Sequence, residues 1–147
     1  MYRLHNPGAC QRLLIILTLL ITCVAGAAFG ETAAPGRTTS VHAGFLDPNG
    51  VDVIGYSAER DLGNNFYHFY TFGFPSLAAT GITYYSNYNG SGLVATVGVG
   101  IGSVAYTSLV YQLHFAERHV IKLGGGYTTG VAYTGLYPAL SYELRFK

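Results

Sequence analysis

The sequence predicts an all-β fold: one closed antiparallel barrel of eight strands in up-and-down order, with apolar rows facing out. Three observations point there. Only 10% of the chain is charged while 50% is hydrophobic, whereas soluble domains carry about 25% charged residues; a water-facing surface would be short of charge. The 20 Gly, 13 Tyr and 8 Phe, with many Val and Thr between them, favour strands over helices. From residue 39 onward, turn signals divide the chain into eight stretches of strand length with alternating apolar residues.

Residues 1–30 have the layout of a cleaved secretory signal. Arg3 and Arg12 give a positive start, LLIILTLLITCVAGAAF (13–29) is the apolar run, and Ala28-Phe29-Gly30 offers small residues at a cleavage site. Both cysteines, Cys10 and Cys23, fall in this stretch, so the remaining chain has no disulfide or thiol chemistry. Beyond it, six basic residues face 7 acidic ones; that balance gives no electrostatic basis for nucleic acid as a partner. Residues 31–38 (ETAAPGRT) read as an extended leader, and 39–147 as the barrel domain.

Segment one is 39–46 (TSVHAGFL), closed by Asp47-Pro48-Asn49-Gly50. Segment two, 51–62, sets Ile54, Tyr56 and Ala58 against Gly55, Ser57 and Glu59, and ends at Gly63-Asn64-Asn65. Segment three, 66–74 (FYHFYTFGF), carries His68 in the row of Phe66, Tyr70, Phe72 and Phe74, which suits a position near a membrane interface. Segment four is 77–86, followed by NYNGSG. Segment five, 92–101, separates Leu93, Ala95, Val97, Val99 and Ile101 from Val94, Thr96, Gly98 and Gly100. Segment six, 104–115, separates Leu109, Tyr111, Leu113 and Phe115 from Tyr106, Ser108, Gln112 and His114. Segment seven, 119–127, sets Ile121, Leu123 and Tyr127 against Lys122, Gly124 and Gly126, and TTGVAYTG (128–135) is the longest connection if both termini are periplasmic. Segment eight is 136–146.

A transmembrane strand needs about 9–11 residues, and bacterial barrels use even strand numbers from eight upward. A transmembrane helix over the charge-free stretch 92–113 is the rival; Gly92, Gly98, Gly100 and Gly102 and the alternation oppose it. Glycines on the inner face suit a narrow eight-stranded interior. An arginine or lysine facing lipid at mid-depth would cost about 2–4 kcal/mol, so Glu59, Lys122, Glu143 and Arg145 are expected to point inward and neutralise one another as a structural network.

The chain ends ALSYELRFK (139–147), with Leu140, Tyr142, Leu144 and Phe146 alternating with Ser141, Glu143 and Arg145. This strand resembles the C-terminal signature of bacterial outer-membrane β-barrels, which the barrel assembly machinery reads; Tyr142 and Phe146 occupy its aromatic positions. Lys147 departs from the pattern, since the family commonly ends on the aromatic. In size and strand count the chain resembles the small eight-stranded outer-membrane proteins. The resemblance implies a transmembrane barrel in the Gram-negative cell outer membrane, with outer-membrane lipid and the assembly machinery as partners.

Little catalytic chemistry is legible. Gly98-Val99-Gly100-Ile101-Gly102 has no following helix pattern or lysine to make a phosphate loop. His114 and His119 flank a turn without a third ligand, so no metal or cofactor is expected. Some small outer-membrane barrels are lipid A-modifying enzymes with Ser, His and an acid; Ser108, His114 and Glu59 are the inventory here, and His-x-Ser is absent. The expectation is a non-enzymatic outer-membrane barrel with a plugged polar lumen and a structural or accessory envelope role. Alternatives are a lipid A-modifying enzyme, a narrow porin-like channel, and a periplasmic lipocalin-like barrel with apolar rows inside.

Overall fold

The computed structural model describes residues 37–101, 103–130 and 133–146. The expected signal and most of the leader lie outside the described residues. Eight strands follow one another: β1 (Arg37–Asp47), β2 (Asp52–Gly63), β3 (Phe66–Phe74), β4 (Leu77–Tyr85), β5 (Gly92–Gly100), β6 (Ser103–Ala116), β7 (His119–Gly130) and β8 (Thr134–Phe146). Each pairs antiparallel with its neighbours in sequence, and β8 closes on β1 from Thr39↔Phe146 to Phe45↔Leu140. The fold is the all-β meander barrel that period-two alternation predicts.

Element ends differ from expectation where pairing outruns local signals. β1 begins at Arg37, so the last two residues of the expected leader pair with Arg60 and Glu59. Thr128 and Thr129 pair with Gly135 and Thr134. The expected long connection 128–135 is thus mostly ladder, because its threonines suit a strand better than a loop.

Every strand sends large apolar side chains outward, including Val41, Ile54, Phe72, Tyr84, Leu93, Leu109, Leu123 and Leu140. The inner rows hold Ser40, Ser57, Thr71, Thr83, Thr96, Ser108, Lys122 and Glu143, all buried. On β3 the outward row of Phe66, Tyr70, Phe72 and Phe74 is exposed, yet His68 in that row is buried. The Tyr70 ring stands edge-on to it at 4.4 Å, and Thr80 Oγ1 lies 3.1 Å from its Nε2.

Inner glycines make room for large neighbours. A Cβ on Gly98 would strike the Tyr106 ring, and one on Gly126 the Tyr137 ring. At the closing seam, a Cβ on Gly44 would lie 2.3 Å from the Leu140 carbonyl oxygen, so only glycine lets β1 approach β8.

One end of the barrel carries both ends of the ladder and the β2–β3, β4–β5 and β6–β7 connections; we call it the termini end. At the far end, β1 leaves the wall. Asp47, Pro48, Asn49, Gly50 and Val51 are all buried, with positive φ at Leu46 and Val51 turning the chain into the lumen. β8 therefore pairs with β1 only from Leu140 on, while its pairing with β7 starts at Thr134. Pro138 lies in that one-sided stretch, where a missing N–H is tolerated.

Candidate functional site

The polar interior is the candidate site, and it is a filled core. Lys122 on β7 and Glu143 and Arg145 on β8 face inward at the same level. Lys122 Nζ lies 2.6 Å from Glu143 Oε2, and Arg145 Nε donates to Glu143 Oε1 at 2.9 Å. Asp47 Oδ2 is 4.0 Å from Lys122 Nζ and accepts the Ser141 hydroxyl at 2.6 Å. All these side chains are at most 3% exposed, so each charge depends on protein partners rather than water.

Arg145 reaches further. Nη1 donates to the Tyr88 carbonyl at 2.8 Å and Nη2 to Gln112 Oε1 at 3.1 Å. Its guanidinium lies 4.6 Å from the Tyr88 ring centre and 5.3 Å from that of Tyr85, within cation–π range. Gln112 Nε2 donates to the carbonyls of Asn87 and Gly90. The β4–β5 connection, residues 86–91, is thereby folded in over the termini end.

Glu59 is where the two end closures meet. Asn49 of the β1–β2 turn donates from Nδ2 to Glu59 Oε1 at 3.1 Å, and the Tyr85 hydroxyl donates to the same oxygen at 2.5 Å. Tyr88, from the opposite end, donates to Oε2 at 3.1 Å. Burial first, then the Glu59 charge, pushes the Tyr88 phenol above its ordinary pKa and keeps it a donor. Asn49 is itself held by Tyr106, whose hydroxyl donates to its carbonyl at 2.6 Å, and by Thr83 at Oδ1.

A third cluster sits nearer the far end. Asp52 Oδ1 accepts the Ser76 amide at 3.0 Å and its hydroxyl at 2.5 Å. His42 Nε2 lies 4.0 Å from Asp52 Oδ2, and His42 Nδ1 3.4 Å from Ser57 Oγ. This is a Ser–His–Asp order, but all three are at most 1% exposed, and Ser57 donates its proton to Thr71 Oγ1 at 3.0 Å. A nucleophile needs a substrate within reach of a base that takes its proton; here the hydroxyl is spent on a wall contact.

Of the residues singled out in the sequence, Glu143, Lys122 and Arg145 form one contiguous group, and Glu59 joins it through Tyr85 and Tyr88. Of Ser108, His114 and Glu59, Ser108 is buried in the wall, His114 Nε2 lies 3.4 Å from Arg145 Nη1, and Glu59 accepts from Asn49, Tyr85 and Tyr88. Leu140, Tyr142, Leu144 and Phe146 all project outward, with the Tyr142 hydroxyl 2.6 Å from His119 Nδ1. Among the described residues no three His, Cys, Asp or Glu side chains could hold a metal ion. Sequence reading missed Asn49, Asp47, Tyr85 and Tyr88, while Gln112 stood on the inner row of segment six without a partner assigned. The alternation of 77–86 gave a signal for Tyr85; none existed for the loop residues, whose direction is set by what lies inside. No protein-family model, no curated protein and no solved structure matches the chain.

Proposed function

We propose that this protein is an integral outer-membrane barrel whose lumen is a packed polar core rather than a conduit, with a structural or accessory role in the envelope. One observation carries the reading: large apolar side chains are exposed on all eight strands, while Lys122, Glu143, Arg145 and Glu59 are at most 3% exposed inside. Contiguous apolar surface of that extent marks contact with a membrane or a partner, and a continuous girdle with paired charges within suits lipid. Arg60, an outward charge on β2, lies two residues beyond Ala58 towards the β2–β3 turn, at the termini end.

A lipocalin-like carrier calls for the reverse arrangement, with apolar rows lining a cavity. A pore calls for a continuous aqueous path, whereas Asn49 and Tyr88 enter from opposite ends and meet on Glu59. The test has two parts. The expressed protein should fractionate with outer membranes and migrate faster unheated than boiled on a denaturing gel. Purified into planar bilayers, it should give no steady channel steps. Recovery from the periplasm without detergent would sink the membrane reading, and steady conductance would sink the packed lumen.

A further inference from the structure

The two ends of the barrel differ in chemistry. At the termini end, Glu117 and Arg118 are exposed, Arg60 and Asp61 are half-buried, and Asn64, Asn65, Asn87, Asn89 and Ser91 are exposed. At the far end, the only charged residues among the described turns and adjoining strand tips are Asp47 and Asp52, 1% and 0% exposed. Large apolar side chains project outward there, Phe74, Leu77, Ile101 at 68%, Tyr133 and Leu136 at 78%, with Thr134 the exposed polar one among them.

The far-end turns also satisfy their backbone from within. Asn49 N donates to Asp47 Oδ1 at 2.9 Å, Ser76 N to Asp52 Oδ1 at 3.0 Å, and Ile101 N to the Ala78 carbonyl at 2.9 Å. The Tyr133 hydroxyl donates to the Leu136 carbonyl at 2.6 Å. In hydrocarbon each unsatisfied backbone group costs several kcal/mol; these bonds permit a lipid seat, although the termini end makes similar ones, as from Gly63 N to Asp61 Oδ1 and His114 N to Ser91 Oγ.

Height agrees. β3, β4 and β5 have 9 residues each. At about 3.3 Å per residue and a tilt of about 40° they rise about 23 Å, no more than the apolar band of about 25 Å that an outer-membrane barrel presents. β6 is longer, with 14 residues, but those beyond Gln112 run past the start of β5 at the termini end, so the added length lies on the charged side.

We propose that the far end is seated in the lipid at the headgroup–acyl boundary, so that the protein meets water at its termini end alone. This rests on the membrane reading above. The occupant of the apolar end is the bilayer itself: the exposed apolar side chains of the wall, such as Leu140 and Val97, are followed at the far end by Leu136 and Ile101, and the described residues there offer no exposed charge to a soluble partner.

The chain beyond residue 30 contains no cysteine, so single cysteines report cleanly. L77C and I101C at the far end, N64C and E117C at the termini end, and L123C on the wall carry a small fluorophore in phosphatidylcholine vesicles. Quenching by aqueous iodide is compared with quenching by nitroxide-bearing lipid. At 77 and 101, lipid quenching should exceed iodide quenching several-fold, as at 123, with the order reversed at 64 and 117. If 77 and 101 follow 64 and 117 while 123 stays lipid-quenched, the seated end is wrong and the membrane reading stands. If 123 also follows iodide, both are wrong.

Discussion

Lys122 and Glu143 offer the sharpest measure of whether the lumen is dry. Their charged atoms lie 2.6 Å apart, a separation worth about 6 kcal/mol of attraction at an effective dielectric constant of about 20. Desolvation offsets much of that, yet removing one member of a buried pair costs about 3–5 kcal/mol, because the other charge is stranded. Lys122→Met keeps the stem volume and strands Glu143 with Arg145 alone; Glu143→Gln leaves Lys122 with Asp47 at 4.0 Å. Each single variant should therefore lose about 3–5 kcal/mol. The double variant should lose less than their sum, giving a coupling of about 2–3 kcal/mol. The assay is reversible denaturant unfolding in lipid vesicles, extrapolated linearly to zero denaturant, at low and high sodium chloride. A water-filled lumen would screen the pair to about 1 kcal/mol or less, with a clear salt dependence. A coupling in that range would refute the packed core.

Four further outcomes follow from the same geometry. Tyr88→Phe deletes one bond to the Glu59 carboxylate and should lower stability by about 1.5–3 kcal/mol, read in the same unfolding assay. Tyr88→Ala also removes the ring stacked at 4.2 Å on Tyr67, opens the termini end, and should give conductance steps in planar bilayers that the parent lacks. Gly44→Ala would drive a methyl into the Leu140 carbonyl and should cost at least about 1–3 kcal/mol, seen as loss of the fast-migrating unheated band. Leu140→Arg on the outer wall should cost about 2–4 kcal/mol in lipid vesicles; an unchanged midpoint would mean that this face is already wet.

Strand count, order and face assignment were legible because one physical rule governs them all. A residue at even spacing from Leu140 shares its side of the sheet, so once Glu143 and Arg145 are inward, the remainder of β8 is fixed. The same rule carries β5 and β6, where alternation is unbroken. It misleads at His68, whose row is outward but which is covered by Tyr70 and Thr80; parity gives direction, not exposure. Inner glycines read correctly as a sign of crowding. Which ring lies over each depends on register, as with Tyr106 over Gly98, and register spans strands that local sequence does not compare.

The turn at Asp47–Gly50 shows the deeper reason that part of the site was hidden. As a local signal Asp-Pro-Asn-Gly says only that the chain reverses; it is silent on whether the tip points to solvent or inward. The interior decides. Glu59, Lys122, Glu143 and Arg145 alone would balance, two charges of each sign. Asp47 and Asp52 are also buried, so four carboxylates share the lumen with two permanent cations and the His42 imidazole. Ion pairing cannot satisfy that set, and neutral donors must supply what is missing. Ser76 and Ser141 serve Asp52 and Asp47, while Tyr85, Asn49 and Tyr88 serve Glu59. Two of the last three lie outside the strands, so Glu59 is fully bonded only when both connections fold in. The excess of buried carboxylate and the closure of the barrel at each end are thus one requirement, and replacing Glu59 with leucine should loosen both connections together.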